Sequence, residues 1–154
     1  MARKLMLLAA AGSLALLFGA YLFQALGYAP CKMCLWQRWP HFVAIAAGIV
    51  AIFAANRVVA LAGGLATLVT AGIGLYHTGV ERKWWEGPSS CTGTSDLSGL
   101  SGADLLSTDM AGRVVMCDQV SWAFAGLSMA SWNAILSLAL ALLWANAFVR
   151  LSRN

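Results

Sequence analysis

The sequence contains very little charge: Asp, Glu, Lys and Arg together make up 10% of its 154 residues. Soluble domains carry about 25% charged residues and are about 45–50% apolar, whereas 60% of this chain is apolar. The chain therefore has too few charged side chains to cover the surface of a soluble domain. The same composition excludes a disordered chain, a coiled coil and a collagen-like repeat. The class that remains is a small integral membrane protein, with residues 1–154 forming one domain.

Acidic residues are absent from most of the chain. All six lie between residues 81 and 118, as Glu81, Glu86, Asp96, Asp104, Asp109 and Asp118. The ten basic residues are spread more widely and leave a net charge of +4. They form no run or stripe of the kind that binding to a nucleic acid backbone requires, so we expect no nucleic acid partner.

Four apolar segments lie between these charges. A membrane-spanning helix needs about 20 mostly apolar residues, and residues 5–23, 58–76 and 130–148 each supply 19 uncharged ones. Residues 42–55 supply only 14, but Pro40 suits the first turn of a helix and extends this span to 40–55. The pattern predicts an all-α membrane protein, a bundle of four transmembrane helices with long loops at 28–39 and 81–121. We expect membrane lipid around it.

Basic residues indicate the orientation of the spans. Five lie in short tails and one tight turn on the side of the termini: Arg3, Lys4, Arg57, Arg150 and Arg153. The opposite side also has five, but spread over much longer loops. Because Lys and Arg concentrate in short cytoplasmic segments, their density predicts that both termini are cytoplasmic. A cleaved signal peptide is an alternative for the first span, although signal peptides have shorter apolar regions of about 7–15 residues.

Tryptophans support the same frame, because indole rings prefer the headgroup level of a membrane. Six of the seven lie near the boundary that faces the long loops, as Trp36, Trp39, Trp84, Trp85, Trp122 and Trp132. Trp144 is expected near the opposite boundary.

The four cysteines all lie outside the predicted spans, on the non-cytoplasmic side. Cys31 and Cys34 form a Cys-x-x-Cys pair, and Cys91 and Cys117 lie in the second loop with 25 residues between them. An oxidising compartment is where disulfides form and persist. If a helix begins at this pair, Arg38 shares a face with Cys34 and stabilises its thiolate, as does the helix N-terminus.

Spacing alone leaves the role of the cysteines open. Two inert disulfides, or one zinc site that uses all four thiolates, are alternatives to redox chemistry. The second loop is rich in Gly, Ser and Thr, which suits a disulfide that must meet a partner protein. A short amphipathic turn on the membrane surface is one expectation within it, and an ordinary loop anchor is the other: Ala103, Leu105, Leu106 and Met110.

Several short motifs resemble those of the disulfide bond formation protein B (DsbB) family of bacterial inner-membrane thiol oxidases. They are Pro30-Cys-Lys-Met-Cys-Leu-Trp-Gln-Arg38, Tyr76-His-Thr-Gly-Val-Glu81, Gly87-Pro-Ser-Ser-Cys91, Cys117-Asp118 with Trp122, and Gly126-Leu-Ser-Met129 with Trp132-Asn133. The resemblance covers nearly the whole chain. The order of the cysteine pairs is specific, since the related vitamin K epoxide reductases carry their Cys-x-x-Cys last and here it comes first.

The resemblance implies an electron relay. A periplasmic dithiol oxidase similar to DsbA would pass electrons to a Cys91–Cys117 disulfide, with Cys91 forming the mixed disulfide. Cys117 would then exchange with Cys31, and the Cys34 thiolate would face a bound quinone, either ubiquinone or menaquinone.

The resemblance also implies which residues surround the quinone. Arg38 matches the family's quinone-site arginine, and His77 lies where the family has a histidine near the ring. The expected protein is thus an inner-membrane enzyme with no metal site. The alternative is a non-catalytic four-helix membrane protein whose cysteines form structural disulfides or bind zinc.

Overall fold

The computed structural model describes residues 1–88, 91 and 115–153, and it is mostly helical. Its long helices are α1 (Ala2–Ala25), α2 (Lys32–Phe53), α3 (Arg57–Glu81) and α4 (Met129–Ser152). Two short strands, β1 (Ala123–Phe124) and β2 (Leu127–Ser128), form an antiparallel hairpin just before α4. The amphipathic turn expected at residues 103–110 lies outside the described residues.

Side chains cap the N-termini of three helices, where backbone N–H groups have no partner within the helix. The sulfur of Cys31 accepts a hydrogen bond from the backbone N–H of Cys34 and caps α2. Asn56 caps α3 through the N–H of Val59 at 3.0 Å, and Ser128 caps α4 through the N–H of Ser131 at 3.2 Å. These caps explain why each helix begins where it does.

The helices form a closed ring in which α1 packs on α2 and α4, and α3 packs on α2 and α4. Small residues at the contacts let the backbones approach closely, as expected for helices in lipid. A methyl group added at Gly48 would collide with Ala10, and one added at Gly63 would lie 2.5 Å from the ring of Trp144. The tight packing thus depends on glycine at these two positions.

Three helices, α1, α3 and α4, are long and apolar enough to cross a membrane. The fourth, α2, begins at Lys32 rather than at Pro40, so the predicted loop 28–39 is largely helical and Pro40 lies inside the helix. Cys34 accordingly lies in the first turn of α2 and not in a loop. The reason is local, because the Cys31 cap starts the helix before the apolar run begins. The other three helices extend beyond their predicted spans at both ends.

Two further details were not expected. Trp144 is fully buried within the bundle among Met6, Ala9 and Ala147, so its indole packs against other helices. The hairpin was not expected in an all-α protein. Ala125 and Gly126 at its turn both have positive φ, 52° and 77°, as a two-residue type I′ turn requires.

Candidate redox centre and adjoining cavity

The Cys-x-x-Cys pair sits at the N-terminus of α2. The sulfur atoms of Cys31 and Cys34 lie 2.8 Å apart. Cys31 is buried and Cys34 is partly exposed. Because backbone N–H groups at a helix N-terminus favour negative charge, this position stabilises a thiolate on the pair.

The second pair of cysteines lies directly against the first. The backbone N–H of Cys117 donates to the carbonyl of Cys91 at 2.8 Å. The side chain of Cys117 lies close enough to Cys91, Cys31 and the backbone of Met33 in the first turn of α2 for each of them to shift its pKa. Cys31, Cys91 and Cys117 form one buried cluster with Met33 and Val80. The four sulfur atoms therefore follow one another in space, in the order Cys91, Cys117, Cys31, Cys34.

Hydrogen bonds with neighbouring cysteines, together with burial, hold two of these thiols in the protonated form. The hydrogen bond with Cys34, followed by burial, raises the pKa of Cys31 far above its ordinary value. Burial, followed by the hydrogen bond with Cys91, raises the pKa of Cys117 to about 11. Reduced Cys31 and Cys117 are thus neutral at physiological pH.

A cavity of about 450 Å³ opens beside Cys34. Its wall is mainly apolar and aromatic, with contributions from α1, α2, α3, α4 and the hairpin, including Phe23, Tyr28, Trp122, Phe124 and Trp132. Polar side chains on α2, α3, α4 and the segment before the hairpin also line it: Gln37, Arg38, His41, His77, Glu81, Gln119, Ser121 and Asn133. A mostly apolar cavity of this size with a few polar groups is typical of a site for a small organic ligand.

Arg38 is held at the cavity wall by α1. Its Nη1 donates to Oε1 of Gln24 at 2.8 Å, and its guanidinium lies over the ring of Tyr21, 4.6 Å from the centroid. Only 8% of Arg38 is exposed, and within the described part of the chain its Nε–H has no acceptor. An unpaired buried donor is costly, so this N–H fits the carbonyl oxygen of a ligand.

His77 joins the cavity to the cysteines. Its Nε2 lies 3.5 Å from the sulfur of Cys31 and 3.2 Å from the carbonyl oxygen of Cys117. Glu81 lies one turn further along α3, with a carboxylate oxygen 3.8 Å from the same nitrogen, and it accepts a short hydrogen bond from Ser128. The histidine thus contacts one cysteine of each pair, Cys31 and Cys117.

The structure adds polar residues to which the sequence analysis assigned no role: Gln37, His41, Thr70 and Asn133. They form one buried hydrogen-bonded network, in which Asn133 donates to Gln37 at 2.8 Å and bonds to His41 at 3.0 Å. Gln37 in turn bonds to Nδ1 of His77 at 3.0 Å. A signal for His41 and Asn133 was present in the sequence, because such polar side chains within an apolar span are rare and usually functional, whereas Gln37 lay in the predicted loop 28–39.

Three donors in this centre lie close enough to share a metal ion. The sulfur atoms of Cys31 and Cys34 and a ring nitrogen of His77 all lie within 4.8 Å of one another. A structural zinc site uses four protein ligands, and among the described residues this group includes only two of the four thiols. The arrangement therefore differs from the four-thiolate zinc site that the sequence left open.

Comparisons with known proteins agree on one family. The family model described as disulfide bond formation protein DsbB matches residues 2–147. Proteins named "Disulfide bond formation protein B" from a Polaromonas species and from Polaromonas naphthalenivorans are 29% and 31% identical to the chain. The matches cover 100% and 99% of this chain and 95% and 94% of those proteins. A relative from Aromatoleum aromaticum is 34% identical over 77% of this chain and 74% of its own. No solved structure matches the chain.

Proposed function

The chain belongs to the disulfide bond formation protein B family, and from that premise we propose that it oxidises a periplasmic DsbA-like dithiol protein and passes the electrons to a membrane quinone. The family assignment makes it a membrane protein of disulfide bond formation. One observation carries the finer proposal: the four sulfur atoms form a continuous path that ends at an apolar cavity.

The first exchange takes place at Cys91 and Cys117. A thiolate of the partner attacks Cys91 in the Cys91–Cys117 disulfide, and the sulfur of Cys117 leaves. The partner's second thiol then displaces Cys91, so the partner becomes a disulfide and Cys91 and Cys117 become a dithiol. Cys91 is only 3% exposed, so the turn that holds it against Cys117 must open for this attack.

The second exchange takes the electrons to α2. The sulfur of Cys117 attacks Cys31 in a Cys31–Cys34 disulfide, and Cys34 leaves as a thiolate. Cys91 then attacks Cys117, which restores the Cys91–Cys117 disulfide and releases Cys31. The net result is a dithiol at Cys31 and Cys34, with no electrons gained or lost overall.

The cavity residues fit a quinone headgroup. The unpaired Nε–H of Arg38 suits a ring carbonyl oxygen, and the aromatic and apolar wall suits the ring itself. A quinone bound there would accept the two electrons and two protons released when Cys31 and Cys34 form their disulfide. Arg38 also places a positive charge one turn from Cys34, which favours the thiolate on that residue.

The proposal includes the placement of the chain in the membrane. All four helices span the bacterial inner membrane, both termini are cytoplasmic, and the cysteines face the periplasm. The density of basic residues near the termini and the cluster of four cysteines at one end of the bundle support this arrangement. Such a placement gives the cysteines access to a periplasmic partner, and the cavity access to lipid-soluble quinone.

Anaerobic mixing of the purified protein with a reduced DsbA-like protein and excess quinone tests the activity. We expect quinone reduction in proportion to the dithiol added, and Cys34→Ser abolishes it while the chain keeps its melting temperature. Intact protein that reduces no quinone refutes the proposal. Tightly held zinc at one equivalent, or disulfides that the partner does not reduce, would instead support a non-catalytic membrane protein.

A further inference from the structure

The two ring nitrogens of His77 have different partners, and these partners decide which nitrogen carries the proton. Nε2 lies 3.2 Å from the carbonyl oxygen of Cys117, which can only accept a hydrogen bond. Nδ1 lies 3.0 Å from the amide nitrogen of Gln37, which can only donate. Both contacts require the same tautomer, with hydrogen on Nε2 and a lone pair on Nδ1.

The orientation of the Gln37 amide is fixed from two sides. Its nitrogen lies 3.3 Å from the carbonyl oxygen of Met33, which again can only accept. Its oxygen accepts a hydrogen bond from Nδ2 of Asn133 at 2.8 Å. A flipped Gln37 amide would lose both bonds, so the nitrogen stays directed at His77.

Asn133 is oriented by the next residues in the network. Thr70 has one hydroxyl hydrogen, which it donates to the carbonyl oxygen of Gln37 at 3.0 Å. Its oxygen must therefore accept from Nδ2 of Asn133, at 3.1 Å, while Oδ1 of Asn133 accepts from Nε2 of His41 at 3.0 Å. Three backbone carbonyls, those of Met33, Gln37 and Cys117, can only accept hydrogen bonds. They thus determine which atom donates and which accepts throughout the network.

We propose that Gln37 and Asn133 are positioning residues, which keep the hydrogen on Nε2 of His77 so that this ring holds Cys117 beside Cys31 for the exchange between the two cysteine pairs. The Nε2–H group donates to the backbone of Cys117 while the same nitrogen lies 3.5 Å from the sulfur of Cys31. The other tautomer would direct a lone pair at the carbonyl oxygen of Cys117, which repels it. This inference rests on the proposed relay and adds residues that control its middle step.

In that step the sulfur of Cys117 attacks Cys31. The Cys31–Cys117 bond forms, the Cys31–Cys34 bond breaks, and Cys34 takes the electron pair as a thiolate. No other oxidant or reductant takes part. His77 transfers no proton in this step. Its N–H raises the effective concentration of the Cys117 sulfur at the Cys31 sulfur.

A variant that keeps only Cys31 and Cys117, made by Cys34→Ser and Cys91→Ser, isolates this contact. Its equilibrium with a glutathione redox buffer gives the effective concentration of the two thiols, without quinone or partner protein. Gln37→Glu retains the shape of the side chain but can only accept at His77 when ionised. We expect it to lower the effective concentration about fivefold to tenfold, because one buried hydrogen bond is lost.

Nitrogen NMR of labelled histidine reports the tautomer of His77 in the same samples. We expect hydrogen on Nε2 in the parent and on Nδ1 in Gln37→Glu. Asn133→Leu and Gln37→Met remove the hydrogen bonds that orient the Gln37 amide or the His77 ring, without adding charge. Both should give mixed tautomers of His77 and a smaller loss of effective concentration than Gln37→Glu. Thr67→Val is the matched control, because Thr67 is fully buried on α3 and its hydroxyl donates only to carbonyls of its own helix.

The outcomes separate a positioning role from a structural one. A changed tautomer with an unchanged effective concentration overturns the proposal, as does an unchanged tautomer in Gln37→Glu. The proposal is also overturned if Gln37→Glu lowers the effective concentration no more than the control variant Thr67→Val does. Since no quinone is present, failure of the proposed activity leaves these measurements interpretable.

Discussion

The function of single side chains in this centre depends on the neighbouring residues that fix their positions. Arg38 illustrates this, because Gln24 and Tyr21 on α1 fix its guanidinium while its Nε–H stays without an acceptor. A lysine at this position would keep the positive charge but lacks the planar group that stacks on Tyr21 and the additional N–H donors of a guanidinium. The proposed quinone binding therefore depends on the geometry of the guanidinium in addition to its charge.

We expect Arg38→Lys to raise the KM for quinone about tenfold or more, because one hydrogen bond from a charged donor is lost. The rate at saturating quinone should change less than the KM. Initial rates at varied quinone and a fixed excess of reduced partner measure both parameters. Arg57→Lys, a change at the opposite end of the bundle, is the control and should leave the KM unaltered. An unchanged KM in Arg38→Lys would show that the cavity binds quinone without this residue.

Cys117 has a pKa raised to about 11, first by burial and then by its hydrogen bond with Cys91. The reduced thiol is therefore neutral below that pH. Because the side chain is fully buried, the test follows the ultraviolet absorbance of the thiolate during a pH titration and needs no reagent to reach the sulfur. We expect the difference in thiolate absorbance between the reduced protein and its Cys117→Ser variant to appear only above about pH 10, whereas an ordinary thiol ionises near 8.5. A difference that is complete by pH 9.5 would contradict the raised pKa.

At the scale of elements, the start of α2 decides the chemistry. Cys31 is both the cap of this helix and the residue that Cys117 approaches, so the start of the helix also places one sulfur of the centre. The close contacts between helices then hold α2 against α3, which brings His77 to the first turn of α2. The distances between the residues of the centre therefore depend on how closely these helices pack.

We expect Gly63→Ala to destabilise the bundle, because the added methyl would lie 2.5 Å from the ring of Trp144. Overpacking of this kind costs about 1–3 kcal/mol. Gly72→Ala on the same helix is the matched control, since nothing lies within 4 Å of the added methyl. Thermal unfolding in detergent should show a lower midpoint for Gly63→Ala and an equal or higher one for Gly72→Ala. Equal midpoints for the two variants would mean that α3 and α4 pack less closely than described.

For the whole molecule, the question is how many helices cross the membrane. Three are long and apolar enough, and α2 begins with polar residues such as Gln37 and Arg38 that face the bundle and its cavity instead of lipid. Polar residues that face the bundle interior are compatible with a span. The proposed four spans place residue 56 and both termini on one side, whereas three spans would put the termini on opposite sides.

Reporter fusions distinguish these arrangements. We expect an alkaline phosphatase fusion after residue 87 to be active, because this position is periplasmic in the four-span arrangement. Fusions after residues 56 and 153 should be inactive there, while a green fluorescent protein at residue 153 fluoresces. An active phosphatase fusion at residue 153, combined with a cytoplasmic N-terminus, would replace the four-span arrangement with three spans.

The sequence by itself determined the class of the protein, the approximate position of three long helices and a set of candidate reactive residues, whereas the start of α2 was predicted wrongly. These properties depend on the local density of apolar side chains and on short motifs such as the Cys-x-x-Cys pair. Both can be recognised without knowledge of the fold. Only the tertiary structure decided which residues meet. Gln37, His77 and Asn133 lie on three helices, far apart in the chain, and their contacts depend on how each helix is rotated about its axis. That rotation is set by packing between the helices, such as Gly63 against Trp144, so no local pattern could reveal the network that orients His77.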